Sequence, residues 1–418
     1  MDAELIRFPN GVRLALDPMP GLHTAAIGVW IKVGARWEQA SQNGVSHLFE
    51  HMAFKGAGGR DARAFAEAIE NVGGSVNAAT GYERTGYYAR VTRPHAAFAL
   101  DLIADIILKP HWEPDDLEKE KGVVRQEMGE AFDQPDDRVF ELHQQALYAD
   151  QPLGRPILGS PETLANISVD TLHAFRDAHL TGARVVIAAA GAFDRAALAE
   201  AAEARFAGVP AGEGPKPAGA IARPARVGEQ RRLEQTHLVF SWPGLPQGDE
   251  QNFAQRMMTE IFGGGMASRL FQEVREKRGL VYAIDAYTDA FDDIGRMGVY
   301  AGCAPTDAVE VAAAVEGVLE NLAAHGPTVA ELDRAKAVMA AGLLMGAEAP
   351  ASRAEARASQ VFLRDALAPF EQLAQRFGAV TGDAVRARAQ AALAGQSARA
   401  ALGPKSGLGV VRPARGRA

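Results

Sequence analysis

The feature that most limits the fold of this chain is an internal repeat of sequence on either side of a break near mid-chain. Between about residues 207 and 229 the sequence is rich in Pro, Gly and Ala and has no periodic apolar pattern, which is typical of a linker. Before the break, EPDDLEKEKGVVRQEM resembles TVAELDRAKAVMAAGL after it, and AFAEAIENVGGSVNAATGYE resembles RLFQEVREKRGLVYAIDAYT. A repeat of this length predicts duplication into two similar domains.

Composition sets broad limits on the class of protein. The 418 residues are too many for one ordinary hydrophobic core, and 47% hydrophobic with 23% charged residues is typical of a soluble globular protein. The net charge of -8 argues against nucleic-acid binding, and no apolar run approaches the roughly 20 residues of a membrane span. The N-terminus lacks a secretory signal pattern, and a single cysteine, Cys303, suits a reducing compartment, so we expect a cytoplasmic location.

Apolar periodicity predicts both strands and helices. HTAAIGVWIKVGARWE and VNAATGYERTGYYARV have the alternating β-branched and aromatic residues of strands. NGVSHLFEHMAFKG has the spacing of a helix, which we expect Asn43 or Ser46 to cap, and EPDDLEKEKGVVRQEMGEAF is a longer helix opened by Pro114. Elements of both kinds indicate an α+β or an α/β fold.

The helix that carries HLFEH has the residue spacing of a metal site. His47 and His51 are four residues apart and therefore lie on one helix face, with Glu50 beside them. Two such imidazoles bind one divalent ion, and the order H-x-x-E-H defines the inverzincin pattern. A catalytic zinc needs a third protein ligand. Glu127 lies on the long helix with Glu120 two turns before it, but helix glutamates usually face water, so spacing alone does not choose the ligand.

The metal-binding residue types occur only in the first copy of the repeat. In the second copy, Gln255 corresponds to His47, Met258 to Glu50, Thr259 to His51, Ala335 to Glu120, and Gly342 to Glu127. Residues kept for folding alone would more often be present in both copies. We therefore expect one metal site per chain, in the first half.

Four segments together closely resemble the pitrilysin-type (M16) family of zinc metallopeptidases, namely HLFEHMAFKG, VNAATGYERTGYY, EKGVVRQEMGEAFDQPDD and GGGMASRLFQEVREKRGLVY. The similarity covers nearly the whole chain, and the length resembles the short members, such as the beta subunit of mitochondrial processing peptidase. The resemblance implies an α+β fold of two similar domains, each a mostly antiparallel sheet covered by helices, that form half of a clamshell. We expect the zinc-binding domain in 1–210, a linker in 211–228, a homologous domain without metal ligands in 229–402 and a flexible tail in 403–418.

Carried over residue by residue, the resemblance implies that His47, His51 and Glu127 are the zinc ligands and that Glu50 is the general base. It further implies that Glu120 orients a ligand histidine, as metal sites usually require. The same ligand types also bind manganese or cobalt, so zinc is preferred over them on ligand type and resemblance. The expected cofactor is one zinc ion per chain.

The resemblance also implies residues that contact a peptide. In the second half, VREKRGLVY resembles the family segment whose Arg and Tyr contact substrate near the scissile bond. This gives Arg275 and Tyr282, both of which can donate to a developing oxyanion. Asn77, Ala78 and Thr80 would line an edge strand to which an extended peptide is added. Alternatively, Arg275 is a solvated charge on a helix and Tyr282 an ordinary strand aromatic. Asn77, Ala78 and Thr80 would then belong to a plain core strand.

These residues predict a zinc metalloendopeptidase that hydrolyses unfolded peptides or short extensions. Two-gene members of the family often divide the metal motif and the Arg–Tyr pair between subunits, whereas this chain carries both. We therefore expect a homodimer in which Arg275 and Tyr282 of one protomer complete the site of the other. The alternatives are an inactive scaffold, as some family members are in respiratory complexes, and a half-enzyme that needs an unlike partner. Scaffold members usually lose the ligands, and here all are present.

Overall fold

The computed structural model describes residues 3–411, which form two compact units. Each unit is assembled from stretches that are separate in sequence. The first unit takes the chain as far as Met128 together with 155–218 and 344–370, and the second takes 129–154, 219–343 and the chain from Glu371 onward.

Two helical segments therefore lie in a different unit from their sequence neighbours. Residues 129–154 follow the first half of the chain but belong to the second unit, and 344–370 follow the second half but belong to the first. The predicted division, with a linker in 211–228, falls close to the passage between the units at residue 218. The predicted division does not include the exchange of these two segments between units. The apolar face of a helix can be recognised in the sequence, but the sequence does not show which sheet that face covers.

Helices and strands have the following bounds. The helices are α1 Val45–Ala53, α2 Ala62–Glu70, α3 Ala96–Leu108, α4 Pro114–Asp133, α5 Pro135–Leu147, α6 Pro161–Ala165, α7 Val169–His179, α8 Arg195–Phe206, α9 Asn252–Gly263, α10 Ala308–His325, α11 Val329–Gly346, α12 Pro350–Arg364, α13 Phe370–Gly378 and α14 Gly382–Ala394. The strands are β1 Glu4–Arg7, β2 Arg13–Pro18, β3 Thr24–Ile31, β4 Gly56–Ala57, β5 Arg60–Asp61, β6 Ser75–Thr80, β7 Thr85–Thr92, β8 Val185–Gly191, β9 Arg226–Gln230, β10 Thr236–Gly244, β11 Val281–Ala290, β12 Gly295–Cys303 and β13 Ala398–Gly403.

The first unit is built on a six-stranded sheet in the order β1-β2-β8-β3-β7-β6. The β2–β8 pair is parallel and the other pairs are antiparallel. Every residue of β8 is buried, because side chains that alternate along a strand reach a core on each face of this sheet. One core takes Val185, Ile187 and Ala189, and the other takes Val186, Ala188 and Ala190.

Helix α12, which lies in the exchanged segment 344–370, covers the second of these faces. Its Ala354, Ala358 and Val361 are buried there against the sheet. Two arginines of the segment also reach a buried carboxylate on β2, Asp17. Arg353 Nε lies 2.7 Å and Arg357 Nε 2.6 Å from Asp17 Oδ2.

The second unit repeats this topology. Its five-stranded sheet has the order β11-β12-β10-β13-β9, and its one parallel pair, β13–β9, corresponds to the parallel β8–β2 pair of the first unit. Strands β11 and β6 are the matching edges, and each follows a helix and a Gly-containing turn in the aligned repeat. The prediction of an α+β fold with two similar, mostly antiparallel domains is confirmed.

The predicted linker and tail contain regular structure. Strand β9 begins at Arg226, within the expected linker. In the expected tail, Gly407–Val411 form a short 3-10 helix in which Val410 is buried, and 412–418 lie outside the described residues. Within residues 3–411, no helix has the length and apolar character to cross a membrane. The cytoplasmic location stays a prediction.

Candidate metal centre

Helices α1 and α4 of the first unit bring three predicted ligands together. The rings of His47 and His51, one helical turn apart, have centroids 4.7 Å from each other. Glu127 Oε2 on α4 lies 3.8 Å from His47 Nε2 and 3.4 Å from His51 Nε2. One ligand atom from each of the three side chains lies within 4.8 Å of the others, and no second group of this kind occurs in residues 3–411.

Glu120 fixes the orientation of His51. Its Oε2 lies 3.0 Å from His51 Nδ1, and its Oε1 lies 2.6 Å from Lys55 Nζ. Because the ionised carboxylate only accepts hydrogen bonds, the proton of a neutral His51 is placed on Nδ1. The lone pair of Nε2 is then directed toward Glu127, which is the orientation that a histidine needs to bind a metal through Nε2.

The arrangement fits a divalent metal ion. Tetrahedral zinc with metal–ligand distances near 2.1 Å places its ligand atoms about 3.4 Å apart. The distances of 3.4 and 3.8 Å from Glu127 Oε2 to the two imidazole Nε2 atoms are close to this value. Burial, followed by the nearby His51, lowers the pKa of His47 to about 4, so its imidazole is neutral, which is the form that binds metals. His47 Nδ1 is buried and has no hydrogen-bond partner among residues 3–411.

Glu50 lies on α1 between the two histidines and is held from the neighbouring strand. The hydroxyl of Thr80, at the end of β6, donates to Glu50 Oε2 at 2.5 Å. Burial raises the pKa of Glu50, and the hydrogen bond from Thr80 opposes that rise. A carboxylate with a raised pKa beside a metal site is suited to accept a proton from water near neutral pH.

The start of α1 is fixed by Glu38, which the sequence did not indicate. Glu38 is 4% exposed, and its carboxylate accepts from the backbone N–H groups of Gly44 and Ser46, each at 2.8 Å. The expectation that Asn43 or Ser46 caps this helix is wrong. Asn43 instead donates its side-chain amide to Glu38 Oε2 at 2.8 Å, and the residue at the N-cap position is Gly44. Glu38 precedes the helix by several residues, outside the capping positions that a sequence pattern specifies.

Strand β6 is the edge of the first sheet, and it carries the other predicted peptide-binding residues. Ala78 is buried and Asn77 is exposed, as alternation along a strand requires. The backbone N–H of Ala78 donates to the side-chain Oδ1 of Asn77 at 2.9 Å, so this N–H is not engaged with the neighbouring strand. A peptide that pairs with this edge must displace the Asn77 side chain from the Ala78 N–H.

Arg275 and Tyr282 lie together in the second unit. Phe271–Lys277 form a π-helix, and the Arg275 guanidinium lies 4.6 Å from the centre of the Phe271 ring and 5.6 Å from that of Tyr282. Tyr282 is 77% exposed and occupies a register shift of β11, so it is not packed as an ordinary strand aromatic would be. The Arg275 and Tyr282 side chains can therefore contact a group that lies outside the hydrophobic core of the second unit.

Comparison with known proteins identifies the family. Residues 13–161 match the insulinase family, peptidase family M16, and 166–339 match the peptidase M16 inactive domain. Proteins named as uncharacterized zinc proteases are similar over most of the chain. One from Streptomyces coelicolor is 33% identical over 95% of this chain and 88% of its own length, and one from Mycobacterium tuberculosis is 35% identical over 95% and 92%. The chain therefore belongs to the M16 metallopeptidase family.

Solved structures show the same fold. A peptidase M16 inactive domain from Pseudomonas fluorescens has a TM-score of 0.89 at 21% identity and covers 97% of this chain and 99% of its own. A protease from Helicobacter pylori has a TM-score of 0.89 at 19% identity, with coverage of 96% and 99%. The match of the second half to the inactive domain agrees with the metal-ligand group, which among residues 3–411 is found only in the first unit.

Proposed function

We propose that this protein is a zinc-dependent endopeptidase that hydrolyses peptide bonds in unfolded or extended peptides. The observation that carries the proposal is the convergence of His47, His51 and Glu127 on one point beside Glu50. The two imidazole Nε2 atoms and one carboxylate oxygen of Glu127 would hold one zinc ion per chain. A metal ion held by these three side chains would supply Lewis-acid chemistry, which makes water a better nucleophile and a carbonyl more electrophilic.

The protein residues supply orientation and proton transfer. Glu50 accepts the proton of the attacking water and delivers it to the leaving amine, as a general base and then a general acid. Glu120 accepts from His51 Nδ1 and keeps that ring in the tautomer whose Nε2 is free. Lys55, on the other oxygen of Glu120, balances the charge of this carboxylate.

The edge of β6 offers the substrate a backbone partner. An extended peptide added to this edge is bound through main-chain hydrogen bonds, which recognise conformation more than side-chain sequence. This mode of binding excludes segments already folded into helices or sheets. It supports unfolded peptides or short extensions as the substrate class.

Arg275 and Tyr282 are proposed to complete the site of a second protomer in a homodimer. The exposed phenol and the guanidinium can both donate to the oxyanion that develops in the transition state. To test this, Glu50→Gln protein is mixed with Tyr282→Phe protein under conditions that exchange subunits. One intact composite site per heterodimer predicts a partial return of activity. No recovery, with zinc retained in both variants, would refute the shared site.

The function itself is tested with zinc analysis and cleavage of a quenched, unstructured peptide. Purified protein is expected to hold one zinc per chain and to cleave, and Glu50→Gln is expected to keep the zinc and lose cleavage. Glu130→Gln, an exposed glutamate on α4, is the matched control and should change neither. Stoichiometric zinc without cleavage of any peptide would refute the peptidase and favour an inactive scaffold. Cleavage that appears only after addition of an unlike chain would favour a half-enzyme.

A further inference from the structure

Strand β6 presents one of its faces to the metal-binding helix. Along Ser75–Thr80 the exposed residues alternate with less exposed ones, and the last residue, Thr80, is on the less exposed side. Ala78, two residues earlier on the same side, is buried in the core that also contains Leu48 of α1. Thr80 therefore directs its side chain toward the helix rather than toward a peptide at the strand edge.

Thr80 makes two contacts with one carboxylate. Its hydroxyl donates to Glu50 Oε2 at 2.5 Å, and its backbone forms a further hydrogen bond with Glu50. A glutamate side chain has three rotatable bonds, and donors from a rigid strand select one of its rotamers. Both contacts come from Thr80, so this one strand residue fixes the orientation of the Glu50 carboxylate.

We propose that Thr80 is a positioning residue that holds Glu50 in its productive orientation, an inference that rests on the proposed role of Glu50 as the base. Thr80 does not touch the reacting atoms. The Thr80 hydroxyl already donates a hydrogen bond to Glu50. The role proposed for Thr80 therefore differs from the peptide contact expected from the sequence. Because Thr80 belongs to the strand whose edge pairs with the peptide, one backbone segment sets the position of both substrate and base.

The proposal predicts an effect on turnover rather than on binding. A general base contributes roughly 10²–10⁴-fold to rate, and a misplacement of about 1 Å can remove 10²-fold. Thr80→Val keeps the β-branched shape but removes the donor, and we expect it to lower kcat by about 10- to 100-fold. KM should stay within about twofold of wild type, because peptide pairing with β6 uses main-chain atoms that the substitution retains.

The matched variants are Thr80→Ser and Thr85→Val. Thr80→Ser keeps the hydroxyl and is expected to restore kcat to within about threefold of wild type. Thr85 pairs with Thr80 across the hairpin, and its hydroxyl donates to the carbonyl of Val33 at 3.0 Å instead of to Glu50. Thr85→Val should leave kcat unchanged at temperatures well below unfolding. Zinc affinity, measured by competition with a chelator, should be the same in all three variants.

Several results would overturn the proposal. An unchanged kcat in Thr80→Val would do so, as would a rise in KM alone, which would make Thr80 a substrate contact. An equal loss of kcat in Thr85→Val, or no rescue by Thr80→Ser, would reduce Thr80 to a structural role in the hairpin.

A second measurement does not need activity and separates this proposal from the proposed function. In a double-mutant cycle, Thr80→Val should lower the denaturant midpoint of the zinc-loaded protein, and should lower it less in a Glu50→Ala background. Additive effects would show that the two residues do not interact and would overturn the proposal. A non-additive result in a protein that cleaves no peptide would keep the contact between Thr80 and Glu50 but refute the peptidase.

Discussion

Replacing Glu120 by glutamine is expected to weaken zinc binding about 10- to 100-fold, or by about 1.4–2.7 kcal/mol. The carboxylate accepts on both oxygens, from His51 Nδ1 on one and from Lys55 Nζ on the other. A glutamine has one accepting oxygen and one donating NH₂ group, so only one of these two partners still meets an acceptor. The side chain of Glu120 is only 8% exposed, so water cannot readily replace the lost contact.

Either orientation of the new amide disturbs the site. If the NH₂ group faces His51, the imidazole must accept on Nδ1 and carry its proton on Nε2, the atom that would bind zinc. If it faces Lys55, an ammonium loses its partner. That orientation is less costly, because Lys55 is 32% exposed and can turn to water, but His51 then has a neutral acceptor in place of a charged one.

The assay is competition for zinc with a calibrated chelator at fixed pH and ionic strength. Lys55→Met removes only the outer contact and should weaken binding by less than about tenfold, because Glu120 still accepts from His51. Glu118→Gln, on the same helix but with its side chain 66% exposed, is the control and should bind as wild type. A Glu120→Gln protein with wild-type zinc affinity, within about twofold, would refute the assignment of Glu120 as the residue that orients His51.

Two further predictions concern stability. Asp17→Ala removes the carboxylate that pairs with the buried guanidinium of Arg357 and with Arg353. Chemical denaturation should therefore show a free energy of unfolding lower by about 3–5 kcal/mol. A decrease of less than about 1 kcal/mol would contradict this. Burial, followed by Arg296, lowers the pKa of His143 to about 3 in the folded protein, below its unfolded value, so its neutral form stabilises the fold fully above about pH 6.5. As pH falls from there toward 3, stability should decrease by up to about 1.4 kcal/mol per unit, and His143→Gln should flatten this dependence; an unchanged slope would refute it.

The metal site shows which structural features can be read from the sequence. His47, Glu50 and His51 were predicted from local spacing, because three residues within one and a half helical turns have their relative positions fixed by helix geometry. Glu127 lies far along the chain, and only the resemblance to a family selected it from the other glutamates of α4. The structure brings it to the predicted position beside both histidines.

The supporting contacts were not predictable in the same way. The capping of α1 by Glu38 and the contact of Thr80 with Glu50 join residues from different elements, and no periodicity records such pairs. The register shift that turns Tyr282 outward depends on pairing with β12, which has no local signal in the sequence. The repeat in the sequence correctly indicated two similar sheets, but it did not indicate that 129–154 and 344–370 exchange units.

The placement of α12 determines when the first unit can finish folding during synthesis. The helix covers a sheet face that includes Trp30, but it begins more than a hundred residues after residue 218, where the preceding segment of the first unit ends. At synthesis rates of about 5–20 residues per second, helix α12 is made roughly 8–30 s after the sheet face that it covers. Until then the nascent sheet exposes apolar surface, so the growing chain is a natural client for chaperones. Premature termination before residue 350 should yield an insoluble fragment rather than a smaller peptidase.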